Sequence, residues 1–147
     1  MIALLQRVTQ ARVEVDGVDI ASIGKGLLVF IAVERGDDSQ SVMRMAEKLC
    51  RYRVFADQDD KMNMSVVDIG AELLLVPQFT LAADTAKGLR PSFHLAADPE
   101  FGEQQFQALL SAVRQQAVEP QQGQFGANMQ VHLTNDGPVT FWLQTQS

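Results

Sequence analysis

Two short stretches of the 147-residue chain carry residue types that can handle a ligand: Pro77-Gln78-Phe79-Thr80 and Asn135-Asp136-Gly137-Pro138-Val139-Thr140. In the first, a proline closes the apolar run Glu72–Val76. Proline has no N–H for a sheet ladder, so it marks a strand end or a bulge. The chain then leaves the sheet, with the backbone amides of Phe79 and Thr80 placed to point at a ligand. The competing reading is a strand that simply runs into a turn. In the second stretch, Asn-Asp-Gly-Pro between two strand patterns predicts a turn. A Gly-Pro bond becomes cis at modest cost, and a hairpin tip of that kind suits a rigid probe inserted into another site.

More familiar catalytic sets are missing. The chain has no Gly-x-Ser-x-Gly elbow, no phosphate-cradling Gly-rich loop ending in Lys-Ser/Thr, and no His-Glu-x-x-His. Thr80 with His94 or His132 has the residue types of a nucleophile and base, yet no spacing orients either histidine. Both read as surface residues, His94 on a loop and His132 on an exposed strand face. Cys50 is the only cysteine and reads as a small buried hydrophobe. It shares no short ligand spacing with the histidines, so neither a metal nor another cofactor is expected. One cysteine cannot form an internal disulfide, and the N-terminal stretch lacks the order of an export signal, which points to a cytoplasmic protein.

These residues must be positioned by elements that the patterning outlines. Residues 2–8 read as a strand, followed by a hairpin around Asp16-Gly17. The continuous apolar run after Gly24-Lys25-Gly26 predicts a central strand buried on both faces. From Asp37 to Phe55 the period changes. Ser39 or Ser41 is the expected cap of a helix whose buried stripe is Val42, Met45, Ala46 and Leu49. Residues 56–65 read as a charged loop, and 71–79 as a second central strand. A second helix starts at Asp98 with Pro99 in its first position, with Phe106, Leu109, Leu110 and Val113 as its stripe. Two strands around Asn-Asp-Gly-Pro close the chain. The sum is a single α+β domain over 1–147, of six or seven strands and two helices, without βαβ alternation.

Composition bounds the partners. With 46% hydrophobic and 20% charged residues, the chain is a folded one, and no apolar stretch approaches the length of a membrane span. The formal charge of −6 argues against DNA or any long nucleic acid gripped through many phosphates. A short single-stranded end held at a local basic spot remains open.

The stretches 77–93 and 134–143, with residues 3–15 and 24–34, resemble the D-aminoacyl-tRNA deacylases over essentially the whole chain and in the same order. The Asn-x-Gly-Pro-x-Thr signature is met in full by Asn135, Gly137, Pro138 and Thr140. In the other signature Gln78 and Thr80 match, and Pro77 stands where the family has serine. The resemblance implies a mixed, mostly antiparallel curved sheet or partial barrel with two packed helices. It also implies a homodimer that hydrolyses the ester of D-aminoacyl-tRNA or glycyl-tRNA. Gly137 and Pro138 would cross into the partner's pocket as the chirality filter. Catalysis would lean on the 2′-hydroxyl of the tRNA, with Gln78, Phe79 and Thr80 supplying orientation and oxyanion donors. Phe79 is alternatively a stacking surface for the terminal adenine, or an ordinary core residue. Lys87 and Arg90 would meet phosphates or be solvated loop charges. Arg7 would pair with Gly-Pro carbonyls or be a half-exposed strand residue. The Pro77 departure bears either on a lost hydroxyl or on backbone geometry alone. The rival reading of the same scaffold is a non-catalytic module that binds RNA ends.

Overall fold

The computed structural model describes residues 1–146; Ser147, the end of the expected 1–147 domain, lies outside the described residues. In chain order the elements are β1 (Ile2–Val15), β2 (Val18–Ile23), β3 (Gly26–Ala32), α1 (Ser39–Arg51), β4 (Phe55–Ala56) and β5 (Met62–Met64). They continue with α2 (Val66–Ile69), β6 (Glu72–Pro77), a 3-10 helix (Phe79–Ala82), α3 (Pro99–Gln115), β7 (Gln121–Gln122) and β8 (Gln130–Gln144). The class is α+β, as expected. No helix among the described residues is long and apolar enough to cross a membrane.

The Asp16-Gly17 hairpin forms as its sequence predicts. Both turn residues have positive φ, 50° and 79°, which matches the twist of the flanking strands. The main sheet runs β2-β1-β3-β6-β7, with β8 also on β1. The β1 pairings with β2, β3 and β8 are antiparallel, whereas β3–β6 and β6–β7 are parallel. β2 curls round far enough to touch β6 and β7, so the sheet nearly closes.

β3 and β6 are buried on both faces, which explains their unbroken apolar sequences. One face meets α1 and α3 through Met45, Leu49, Phe106 and Leu110. The other lies inside the curl with Val8, Val13, Ile23, Leu28 and Val76. Fully burying one such side chain stabilises the fold by about 1.5–3 kcal/mol. The β3–β6 pair starts at Gly26, where an added Cβ would lie 1.9 Å from the Glu72 carbonyl oxygen. Any side chain there forces the two strands apart.

α1 carries the expected buried stripe, but its cap is Asp38 rather than Ser39 or Ser41. The Asp38 carboxylate accepts from the Gln40 and Ser41 amides, and the Ser41 hydroxyl accepts in return from the Asp38 amide at 2.8 Å. The α3 expectation holds fully, with Asp98 accepting from Phe101 N–H at 2.9 Å and Pro99 in the first turn. The charged loop 56–65 contains part of a small hairpin, β4–β5, followed by the single turn α2. With β7 added, and β1 and β8 each replacing two expected strands, the described residues form three α-helices instead of two and eight strands instead of six or seven. Residues 2–15 are one continuous strand.

The largest departure concerns Asn135-Asp136-Gly137-Pro138. It is not a turn between two strands. β8 passes straight through it as one strand laid along β1, with Thr140 opposite Gln6 and Asn135 opposite Val8. Residues 136–139 therefore bulge out of the ladder opposite the single residue Arg7. The distant partner strand overrides the local turn chemistry.

Candidate active site

The first wall of the site is the end of β6. Pro77 closes this strand, and Gln78 N–H takes the Ile31 carbonyl at 2.7 Å. Since successive amides of a strand alternate in direction, the nitrogen at position 77 faces the opposite edge, where β7 already stops at Gln122. Proline there removes no ladder bond. What the chain lacks relative to the serine of the resembled family is thus a hydroxyl and nothing in the backbone.

After Gln78 the chain turns at once into the 3-10 helix. Its opening amides, Phe79 and Thr80, have no intrahelical acceptor, and no backbone partner takes them among the described residues. The Gln78 side-chain amide donates to the Thr80 hydroxyl. Neither histidine reaches Thr80: His94 bonds Ser92 at 2.8 Å, and His132 lies 3.3 Å from Glu14. The Thr80 nucleophile reading therefore lacks its base. Phe79 is not a core residue, since 58% of its surface is exposed. Its ring meets Phe93 at 5.2 Å between centroids, tilted by 58°.

Pro77, Gln78 and Phe79 border a cavity of about 530 Å³. Its other walls come from Phe93, Ala96 and Ala97 before α3, and from Phe125, Met129 and Val131 on the way into β8. Sequence reasoning missed all of these. Phe125, between Gly123 and Gly126, packs its ring against Phe106 of the core at 6.4 Å between centroids, so its place in the loop alone does not mark the cavity. Arg35 lies at the rim, donating from Nε to the Ala96 carbonyl at 3.1 Å. Among the described residues no three His, Cys, Asp or Glu side chains converge as a metal site.

The second feature is the bulge, and here the sequence-picked residues do meet. The Gly137–Pro138 peptide is cis. Arg7, only 16% exposed, reaches under the bulge from the strand opposite. Its Nε donates to the Asp136 carbonyl at 3.2 Å, and its Nη1 to the Val54 carbonyl at 2.7 Å. The Asp136 carboxylate adds an ion pair at 3.4 Å. Arg7 thus pairs with the residue before Gly137, not with the Gly-Pro carbonyls as expected. Asn135 and Thr140 clasp the two ends: Asn135 Nδ2 donates to Thr140 Oγ1 at 2.9 Å, and Asn135 Oδ1 accepts from Val139 N–H at 3.0 Å. Gln6 also donates to Thr140, at 3.2 Å. Val139 is buried in the core, while Gly137 and Pro138 are exposed. Gly137 has φ 130°, and a Cβ there would meet Val139 Cγ2 at 2.7 Å and Arg7 Nη2 at 3.1 Å. The sum is an exposed tip on a fully braced base.

Within one chain the tip and the cavity are separate. Arg7, Asn135, Gly137, Pro138 and Thr140 do not line the cavity, and neither do Thr80, Lys87 or Arg90. Lys87 and Arg90 stand on the exposed loop between Asp84 and Ser92. Cys50 is buried as expected, and burial pushes its thiol up to about 11.

The model of the D-Tyr-tRNA(Tyr) deacylase family matches residues 4–144. This chain belongs to that family. A D-aminoacyl-tRNA deacylase of Proteus mirabilis is 54% identical over 98% of this chain and 99% of its own length. One from Methylococcus capsulatus is 57% identical, over 98% and 94%. Among solved structures, a c-Myc DNA unwinding element binding protein superposes with a TM-score of 0.94 at 40% identity, covering all of both chains. A probable eukaryotic D-amino acid tRNA deacylase reaches 0.86 at 17% identity over 98% of each chain, a likeness of fold. The deacylase is therefore a hydrolase acting on aminoacyl-tRNA, built on the nearly closed sheet described above.

Proposed function

We propose that this deacylase works in the cytoplasm as a homodimer that clears D-aminoacyl-tRNA and glycyl-tRNA, with the Gly137-Pro138 tip of one subunit entering the cavity of the other. The observation that carries the reading is the mismatch within one chain. A cavity walled by Pro77, Gln78 and Phe79 holds no nucleophile–base pair, and a braced, exposed tip lies outside it. A rigid backbone that blocks an L side chain discriminates by clash, so it accepts any D side chain and glycine alike.

In this reading the Phe79 and Thr80 amides receive the developing oxyanion. Removing such a donor typically costs about 2.7–4 kcal/mol. Gln78 orients Thr80, and Arg7, Asn135 and Thr140 set the tip. The 2′-hydroxyl of the terminal adenosine and a positioned water supply the chemistry that no side chain here offers. Phe79, exposed beside the cavity, is the adenine-stacking surface. Lys87 and Arg90 meet backbone phosphates of the acceptor end. No DNA partner is proposed, because a net charge of −6 opposes many-phosphate binding.

The test compares hydrolysis of D-tyrosyl-tRNA with that of L-tyrosyl-tRNA. Rapid loss of the D ester alone is expected, and equal rates or an untouched D ester overturn the proposal. A 2′-deoxy terminal adenosine should abolish turnover, whereas Thr80→Ala should leave much of it; the opposite pattern would make Thr80 the nucleophile. Pro77→Ser, which restores the hydroxyl without a ladder change, is expected to leave the rate within a few-fold.

A further inference from the structure

The segment from Asp84 to Leu95 is ordered mainly by bonds at its two ends, and apart from Phe93 against Phe79 it packs on little. Asp84 and Ser92 exchange backbone hydrogen bonds of 2.7 and 3.0 Å at its root. The Asp84 carboxylate accepts from Ala86 N–H at 2.9 Å, and Gly88 turns the tip with φ 68°. Every residue from Thr85 to Leu95 is nevertheless exposed. Leu89 stands fully in solvent, and Phe93 and Leu95 are the other large apolar side chains left open. Folding alone gives no reason to hold three such side chains in water on a tied arm.

Its charge points to the occupant. In a chain of net charge −6, residues 85–92 carry Lys87 and Arg90 and no acid. Neither cation is in an ion pair among the described residues. Phe93 belongs both to this arm and to the cavity wall, where its ring meets Phe79. An aromatic surface that continues outward from a nucleoside-sized cavity, beside unpaired cations, is the combination that holds single-stranded nucleic acid.

Resting on the reading of the cavity given above, we propose that this arm is a second nucleotide subsite. It takes the nucleotide preceding the terminal adenosine of the tRNA, stacked on Phe93, with Lys87 and Arg90 on the adjoining phosphates. The enzyme then measures more of the 3′ end than its last nucleoside.

The experiment uses the D-tyrosyl esters of adenosine and of the trinucleotide cytidine-cytidine-adenosine. The expected result is a kcat/KM roughly 5- to 140-fold higher for the trinucleotide, the range of one stacked base. Phe93→Ala should collapse that ratio toward one, and Phe93→Tyr should keep it, whatever either does to the absolute rates. Lys87→Ala with Arg90→Ala should reduce the ratio and its salt dependence together. Equal kcat/KM for the two esters in the wild type overturns the proposal, and so does a ratio unmoved by Phe93→Ala. A shift from dimer to monomer by sedimentation for Phe93→Ala or Leu89→Ser overturns it in favour of a second copy of the chain as occupant. Hydrolysis of neither ester overturns the deacylase reading itself, and this inference with it.

Discussion

The Gly137-Pro138 tip of the bulge and the arm from Thr85 to Leu95 are both exposed, and they are held in opposite ways. The bulge is braced from three sides by side chains: Arg7 beneath it, and Asn135 and Thr140 clasping its ends. Buried Val139 pins its inner edge. The arm is tied mainly at its root, by two backbone bonds between Asp84 and Ser92, and its tip touches little. A part that rejects a ligand by clash must not yield, because small misplacements at a reacting centre cost about 100-fold. A part that collects a flexible strand gains from reach and needs only charge and an aromatic face. Under the proposed function, the two exposed loops thus differ by the task each would face.

Variants can break that contrast. The largest effect is expected from Arg7→Ala, which removes the brace to Val54 and Asp136 together. It should lower kcat/KM for the D ester by about 100-fold and admit L esters. Arg7→Lys should not rescue it, because an ammonium lacks the planar fork that serves two carbonyls at once. A change in KM alone, with discrimination intact, would contradict the brace.

Next comes Asn135→Ala, which opens the clasp at both Thr140 and Val139. With each lost hydrogen bond worth about 1 kcal/mol, a roughly 10- to 30-fold loss in kcat/KM is expected, again with weaker D-over-L preference. On the arm, Lys87→Ala with Arg90→Ala should raise KM for tRNA by roughly 10-fold and leave chirality untouched. Each phosphate contact removed should flatten the salt slope by about 0.7. Loss of D-over-L preference in this pair would erase the distinction between the two regions.

The smallest effect belongs to a control outside both. Asp68 accepts the Ser65 amide at 2.8 Å in the α2 cap, which holds its carboxyl below the usual carboxylate range. The unfolded chain therefore binds that proton more readily, so stability rises with pH in this window. The contribution is complete above about pH 3.9 and fades as pH falls below it. Asp68→Asn should flatten the acid limb of a thermal-melting profile without altering discrimination.

What the sequence disclosed was whatever local rules decide. The apolar runs of β3 and β6, the Asp16-Gly17 hairpin and the Asp98-Pro99 start of α3 all need only their own residues. Asn-Asp-Gly-Pro misled for the same reason. Its turn chemistry is local, but the outcome depends on β1, more than a hundred residues earlier, which holds β8 straight on either side. Ser39 and Ser41 were plausible caps, and Asp38 displaced them because its carboxylate reaches two amides while Ser41 returns a bond. The cavity wall at Phe125 and Met129 was illegible because irregular segments have no period to read, and Val131, though on β8, carries nothing in its strand pattern that marks a cavity. Gln78, Phe79 and Gly137 were singled out through their motifs and Arg7 through the resemblance, although Arg7 grips Asp136 rather than the carbonyls expected.

The pairing of β1 with β8 also decides when in folding the bulge can be braced. Its contacts join the first strand of the chain to an element that follows every other one. Contacts so distant along the chain form slowly, since the intervening loop must close first. The helices, the β3–β6 pair and part of the cavity wall can assemble while residues 136–139 still hang free. Until β8 seats on β1, the Gly137-Pro138 tip lacks the brace that Arg7 gives it.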